Sequence, residues 1–198
     1  MQTQNQHSAI PTHTSHVINE SAMQTYKMSE KAQLLAKEFV SRKSLLVALS
    51  ENQCFSDAIM LLSYAMPRQK GLEWALKCVQ NASFLNRTPI STSSERTLKA
   101  AEKWINEPTE KNRAAILPTT SVAQPTAATW LAMATYWSGG CISESPIIEE
   151  AGKTDAPIGL VNDTIYSSVM LSVQESEKGR QLLAYDDAIN QGIQLLFA

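Results

Sequence analysis

The sequence predicts an all-α fold: a single-domain orthogonal bundle of about seven or eight helices behind a polar N-terminal tail. Three observations carry that prediction. Apolar residues recur at helical spacing from Ala32 to Leu196. No segment alternates with a period of two over the length of a strand, and no Asn-Gly or Asp-Gly pair joins two candidate strands. Prolines and hydroxyl residues fall between the periodic stretches, where helices stop and start.

The chain has 198 residues, enough for one domain to bury a core without staples. Residues 1–20 are polar and aperiodic and cannot bury enough surface to offset their ordering entropy, so they are expected to form a disordered tail. The helical domain is then 21–198. Ser29 is the expected N-cap of its first helix, which places Ala32, Leu35, Ala36, Phe39 and Val40 on one face. Ser44 opens a short apolar run, Leu45 to Leu49. Phe55, Ala58, Ile59, Leu62, Ala65 and Met66 form a broad stripe that stops at Pro67. Proline suits the first turn of the following helix, where its missing N–H would have had no partner. That helix carries Leu72, Ala75, Leu76 and Val79, with Trp74 and Cys78 beside them.

Beyond the polar stretch Asn86 to Thr92, Ser93 and Ser94 are expected to cap a helix bearing Leu98, Ala101 and Ile105 alongside Trp104. Pro108 breaks it, and Thr109 can cap a short helix through Ala114, Ala115 and Leu117. Ala127, Trp130, Leu131, Ala134 and Trp137 then make a face rich in small residues, which lets helix backbones approach closely and marks a central helix. Ser138-Gly139-Gly140 reads as its glycine C-cap. Residues 138–156 are expected to form a mobile loop, the longest patternless stretch inside the domain. After Pro157, the segment from Ile158 to about Gln174 is apolar on nearly every side, which only a buried helix tolerates. Leu182, Tyr185, Ile189, Ile193 and Leu196 space a last helix at near-heptad intervals.

Composition excludes several function classes. Net charge is −2, which removes the bulk electrostatic reason to expect nucleic acid. No apolar run approaches the ~18 residues of a membrane span. The N-terminus has neither a basic nor an apolar region of a secretory signal, and three widely spaced cysteines fit a reducing compartment, so the cytoplasm is expected. Charge is uneven. Residues 21–115 carry 14 Lys/Arg against 9 Asp/Glu, whereas 116–198 carry 3 against 9, so a basic half precedes an acidic one.

The patterns of catalysis are missing from the sequence. There is no His-Glu-x-x-His, Cys-x-x-Cys, Ser-x-x-Lys or Gly-x-Ser-x-Gly. Gly152-Lys153-Thr154 resembles the end of a phosphate loop, but Ile147 stands where its first glycine would be. His7, His13 and His16 all fall in the tail, without the Cys or carboxylate cluster of a metal site, and leave the folded body no histidine base. Glu149-Glu150 and Asp186-Asp187 are sequence neighbours whose side chains point apart, so they read as solvated charges rather than acid–base pairs. Cys141 follows two glycines but has no histidine to take its proton. No cofactor, metal or catalytic residue is expected.

The run Ala100-Ala-Glu-Lys-Trp-Ile-Asn-Glu-Pro-Thr-Glu-Lys-Asn-Arg-Ala-Ala115, the run Pro125 to Ala134, and Trp137-Ser-Gly-Gly140 stand before Ala156-Pro157 and its apolar helix. Together they resemble an uncharacterised family of small all-helical bacterial proteins, over roughly residues 55–175. The resemblance implies no activity. It implies company with secretion-system genes, type VI clusters among them, while Trp104-x3-Pro-x-Glu-x-Asn-Arg is faintly similar to some toxin-immunity proteins.

The expected function is therefore a non-enzymatic adaptor or chaperone that binds a protein partner, linked to a bacterial secretion system. The alternatives are an immunity protein neutralising a toxin, and an enzyme using Cys141 or the carboxylates of the 138–156 loop. A homo-oligomer is possible. Partner recognition is expected at Ile142, Glu144, Ile147, Ile148, Glu149 and Glu150, where apolar side chains are set among acids in a long connection; the alternative is a lid that packs Ile147 and Ile148 onto the helices. Because the tail offers no apolar face to dock, deleting residues 1–20 should leave Tm within a few degrees in a thermal melt. A large loss would show that the tail is packed.

Overall fold

Every regular element is helical among the residues that the computed structural model describes, 27–85, 91–120, 125–139, 159–177 and 179–198. Nine α-helices follow one another: α1 (Glu30–Glu38), α2 (Arg42–Glu51), α3 (Phe55–Ala65), α4 (Arg68–Leu85), α5 (Thr92–Asn106), α6 (Glu110–Ala114), α7 (Ala127–Ser138), α8 (Leu160–Gln174) and α9 (Gln181–Phe197), with a 3-10 turn at Leu117–Thr119. The total includes the short α2 and α6, each a helix in its own right with its own hydroxyl cap. The expected tail, residues 1–20, lies outside the described residues.

Hydroxyl caps start five of the helices. Ser29 accepts from Ala32 N and Thr109 from Asn112 N, as the sequence predicts. Two caps lie earlier than expected. Ser41, not Ser44, caps α2 and accepts from Ser44 N, and Ser91, not Ser93 or Ser94, caps α5 and accepts from Ser94 N. Thr126 accepts from Thr129 N at the start of α7. Extended backbone at Phe39 ends α1 early, so Val40 leaves the apolar face and is 86% exposed.

The core forms around α8, which packs against α3, α4, α7 and α9. Its closest neighbour, α7, runs antiparallel to it: Ser168 Oγ donates to Ala127 O at 2.8 Å, and Glu175 accepts from Ala127 N at 3.2 Å. Four alanines are among the buried residues of α7 (Ala127, Ala128, Ala132, Ala134), and Thr164, Ser168 and Ser172 are buried along one stripe of α8. Small side chains on both sides bring the backbones together. The other two buried hydroxyls are satisfied within α8 itself: Thr164 donates to Leu160 O and Ser172 to Val169 O. On its outer side α8 keeps Tyr166, Met170 and Leu171 only half-buried, so it is less enclosed than its sequence implies.

Trp74 is fully buried and holds the last helix. Its Nε1 donates to Ala188 O at 2.8 Å. The buried side of α9 is consequently Ala184, Ala188, Ile189, Gly192 and Ile193, rotated away from the expected stripe, and Leu182 is left 53% exposed. At the opposite end of the chain, Asp57 on α3 accepts from both the N–H and the Oγ of Ser29, at 2.9 and 2.7 Å, and docks the start of α1. Among the described residues, no helix is long and apolar enough to cross a membrane.

Gly192 gives this packing a test. A Cβ there would meet Leu62 Cδ1 at 2.7 Å and Trp74 Cε2 at 3.1 Å, and both side chains are fully buried. Alanine is the better helix former, by about 1 kcal/mol on an exposed helix. Here Gly192→Ala should instead destabilise by ~1–3 kcal/mol in urea unfolding, because neither neighbour can move aside. A stabilised variant would show that α9 sits further from Trp74.

Candidate functional site

The connection between α7 and α8, residues 140–158, begins and ends on one corner of the fold. Arg68, the first residue of α4, donates from Nη1 to the carbonyl of Ser138 at 3.2 Å. Tyr64, in the last turn of α3, donates its hydroxyl to Asp163 Oδ1 at 2.6 Å and lies against Gly159. Burial and the Asp163 carboxylate push the Tyr64 phenol well above its ordinary pKa. Gly159 has φ +96°, a left-handed conformation that favours glycine, and a Cβ there would stand 3.0 Å from the Tyr64 oxygen.

The helix stops at Gly139, the C-cap within the Ser138-Gly139-Gly140 run that the sequence marks as its end. Its φ is −85°, ordinary helical backbone. Close approach is what demands glycine: a Cβ would lie 2.5 Å from Arg113 Cδ and 3.2 Å from Trp104 Cζ2. Arg113 is only 5% exposed, and its guanidinium lies over the Tyr136 ring at 4.6 Å. Its Nε and Nη2 donate to the two carboxylate oxygens of Glu110, at 2.7 and 2.6 Å. That hydrogen bonding holds the exposed Glu110 carboxyl below its usual range. A two-pronged carboxylate and an aromatic face together offset the desolvation of a buried cation. Arg113 thereby ties α6 to the end of α7, just where the connection starts.

The six residues expected to recognise a partner, Ile142, Glu144, Ile147, Ile148, Glu149 and Glu150, lie outside the described residues. So do Cys141, the Gly152-Lys153-Thr154 run and the three histidines. Asp186 and Asp187 are described, and they point apart as expected. Asp186 accepts from Ser50 Oγ at 3.3 Å, whereas Asp187 accepts from Asn81 at 3.3 Å and Gln191 at 2.7 Å. Cys54 and Cys78 are free and buried, and burial raises both thiol pKa values, with Asp187 adding to the shift at Cys78. Neither is an activated thiolate. Among the described residues, no group of three His, Cys, Asp or Glu side chains could hold a metal ion.

Reasoning from sequence missed Tyr64, Arg68 and Arg113, which hold the two ends of the connection. Arg113 carried one signal, its place in the Glu-x-x-Arg spacing that pairs side chains one helical turn apart. Tyr64 and Arg68 carried none, since their partners lie 99 and 70 residues away.

A family model described as a family of unknown function, DUF6931, matches residues 45–196. The span is wider than the 55–175 stretch that carries the resemblance noted above, and it takes in most of α9. Comparison with curated proteins found no match, and neither did comparison with solved structures.

The tryptophans of α7 differ in burial. Trp137 is 8% exposed, and Trp130 is half-buried. Trp137→Ala should therefore cost ~3–5 kcal/mol of stability, and Trp130→Ala distinctly less, in parallel denaturant titrations. Equal losses would mean that Trp130 is as enclosed as its neighbour. Normal folding of Trp137→Ala would remove it from the core.

Proposed function

The chain belongs to the family of unknown function DUF6931, and since that name carries no activity, we propose a function from the molecule itself: a non-enzymatic, cytoplasmic adaptor or chaperone that binds a protein partner for a bacterial, type VI-like secretion system. The observation behind the binding role is the pair of fixed ends at Ser138 and Gly159. Antiparallel neighbours such as α7 and α8 are commonly joined by about 2–8 residues. This chain spends residues 140–158 on the join and secures both ends to the α3–α4 corner. The sequence between them sets Ile142, Ile147 and Ile148 among Glu144, Glu149 and Glu150, a composition suited to a partner with apolar and basic groups. The link to secretion rests on the sequence resemblance alone.

Replacing residues 142–154 with a shorter Gly/Ser linker tests the reading, with partner capture from the native host measured beside circular dichroism and Tm. Retained folding with lost capture of one stoichiometric secreted protein is the expected result. Unchanged capture overturns the role of the connection, and loss of folding makes it a packed lid. A co-encoded toxin as the captured protein would make the chain an immunity protein. No partner at all would overturn the adaptor and return attention to an enzyme using Cys141 and the neighbouring carboxylates.

A further inference from the structure

The first helix occupies a seat that the rest of the molecule provides. Ser29 donates to Asp57 from both its N–H and its Oγ, and Asp57 stands in the first turn of α3. Two residues on, Lys31 donates from Nζ to Asn52 O, in the turn between α2 and α3. Lys31 is also near Cys54: burial raises the Cys54 thiol pKa, and the Lys31 ammonium opposes the rise. Beside these polar clamps runs an apolar stripe. Met28 and Ala32 are buried, and Leu35, Ala36 and Phe39 pack partly buried against the core. Positions 28, 32, 35 and 39 lie on one helix face. The seat is therefore α2 with residues 52–57, and what fits it is visible in α1 itself: a serine cap, a small residue three positions on, a leucine six on and an aromatic ring at the end.

That occupant is weakly built in. With nine residues, α1 is shorter than the ~12–15 that an isolated helix needs in water, so its helicity depends on the seat. Among the described residues it packs extensively on one helix, α2, whereas α2 packs also on α3 and α9. The second helix starts from its own cap, Ser41, rather than from α1. Elements with few buried neighbours and polar fastenings lie at the low end of local stability. The residues that the family model matches include Asn52, Cys54 and Asp57 of the seat and begin after α1. We infer that α1 is a displaceable cover, and that the seat beneath it docks a helix of α1's own pattern presented by the adaptor's protein partner. The partner's share in this rests on the adaptor reading.

The test uses the full chain carrying Cys141→Ser, which leaves Cys54 and Cys78 as its thiols. Ser29→Ala removes both the cap of α1 and its clamp on Asp57. It should raise the rate at which a maleimide labels Cys54 by ~tenfold or more and leave Cys78 unchanged, because α1 opens without the core. A fluorescent peptide of residues 27–40 should bind the Ser29→Ala chain at least ~tenfold more tightly than the parent chain by anisotropy, since the chain's own α1 competes less. Adding Asp57→Asn to that chain should weaken the peptide by ~tenfold or more, as should Ser29→Ala within the peptide. Opposite effects of the two chain substitutions on one ligand separate a seat and its occupant from a merely structural contact. An unchanged Cys54 rate, no peptide binding to the Ser29→Ala chain, or Cys78 labelled as fast as Cys54 there overturns the inference, the last because the fold then opens as one unit. Dimers of the Ser29→Ala chain that Asp57→Asn abolishes assign the seat to α1 of a second copy and overturn the partner's helix. A native partner captured more strongly by Ser29→Ala and lost on adding Asp57→Asn is the expected result. Equal capture by all three chains sinks the partner's use of the seat and leaves the adaptor standing. Absence of any native partner sinks the adaptor and the partner's helix with it, while the peptide series still decides the cover.

Discussion

The close approach of α7 and α8 is the constraint on which the other contacts depend. Two helices faced with alanine, serine and threonine can bring their backbones nearer than leucine-faced helices can. Buried hydroxyls ordinarily carry a desolvation penalty, but each here returns its hydrogen to a carbonyl, of its own helix at Thr164 and Ser172 and of the neighbour at Ser168. With that pair set, α8 exposes its remaining sides to α3, α4 and α9, and their larger residues supply the bulk of the buried apolar surface. The division is economical in geometry: small residues fix a distance, and large ones fill what is left.

Local chemistry was legible in the sequence wherever the answer is local. Ser29 and Thr109 cap because a hydroxyl precedes a helical pattern and no competitor stands beside it. Ser41 and Ser91 were missed because several hydroxyls cluster at each start, and the cap is whichever one takes the extended backbone. The face of α9 was misread for a different reason. Its orientation is set by Trp74, more than a hundred residues earlier in the chain, and no spacing within α9 records that. At Gly139 the sequence marks the helix end, whereas the need for a missing side chain beside Arg113 arises only from the tertiary packing.

The sequence of the connection belongs to the acidic half, while most cations of the chain gather in its first 115 residues. Internal attraction between the halves would join lysines to carboxylates. Among the described residues, ion pairs within a turn join Glu95 with Lys99, Glu110 with Arg113 and Glu177 with Arg180.

The bond from Trp74 to Ala188 spans 114 residues, and its length along the chain bears on synthesis. A ribosome adding about 5–20 residues per second leaves Trp74 and Leu62 without α9 for several seconds. During that interval α3 and α4 can form, but the apolar surface they are built to bury stays open to solvent and to other nascent chains. A rare-codon pause or a truncation between α8 and α9 would therefore prolong the aggregation-prone state.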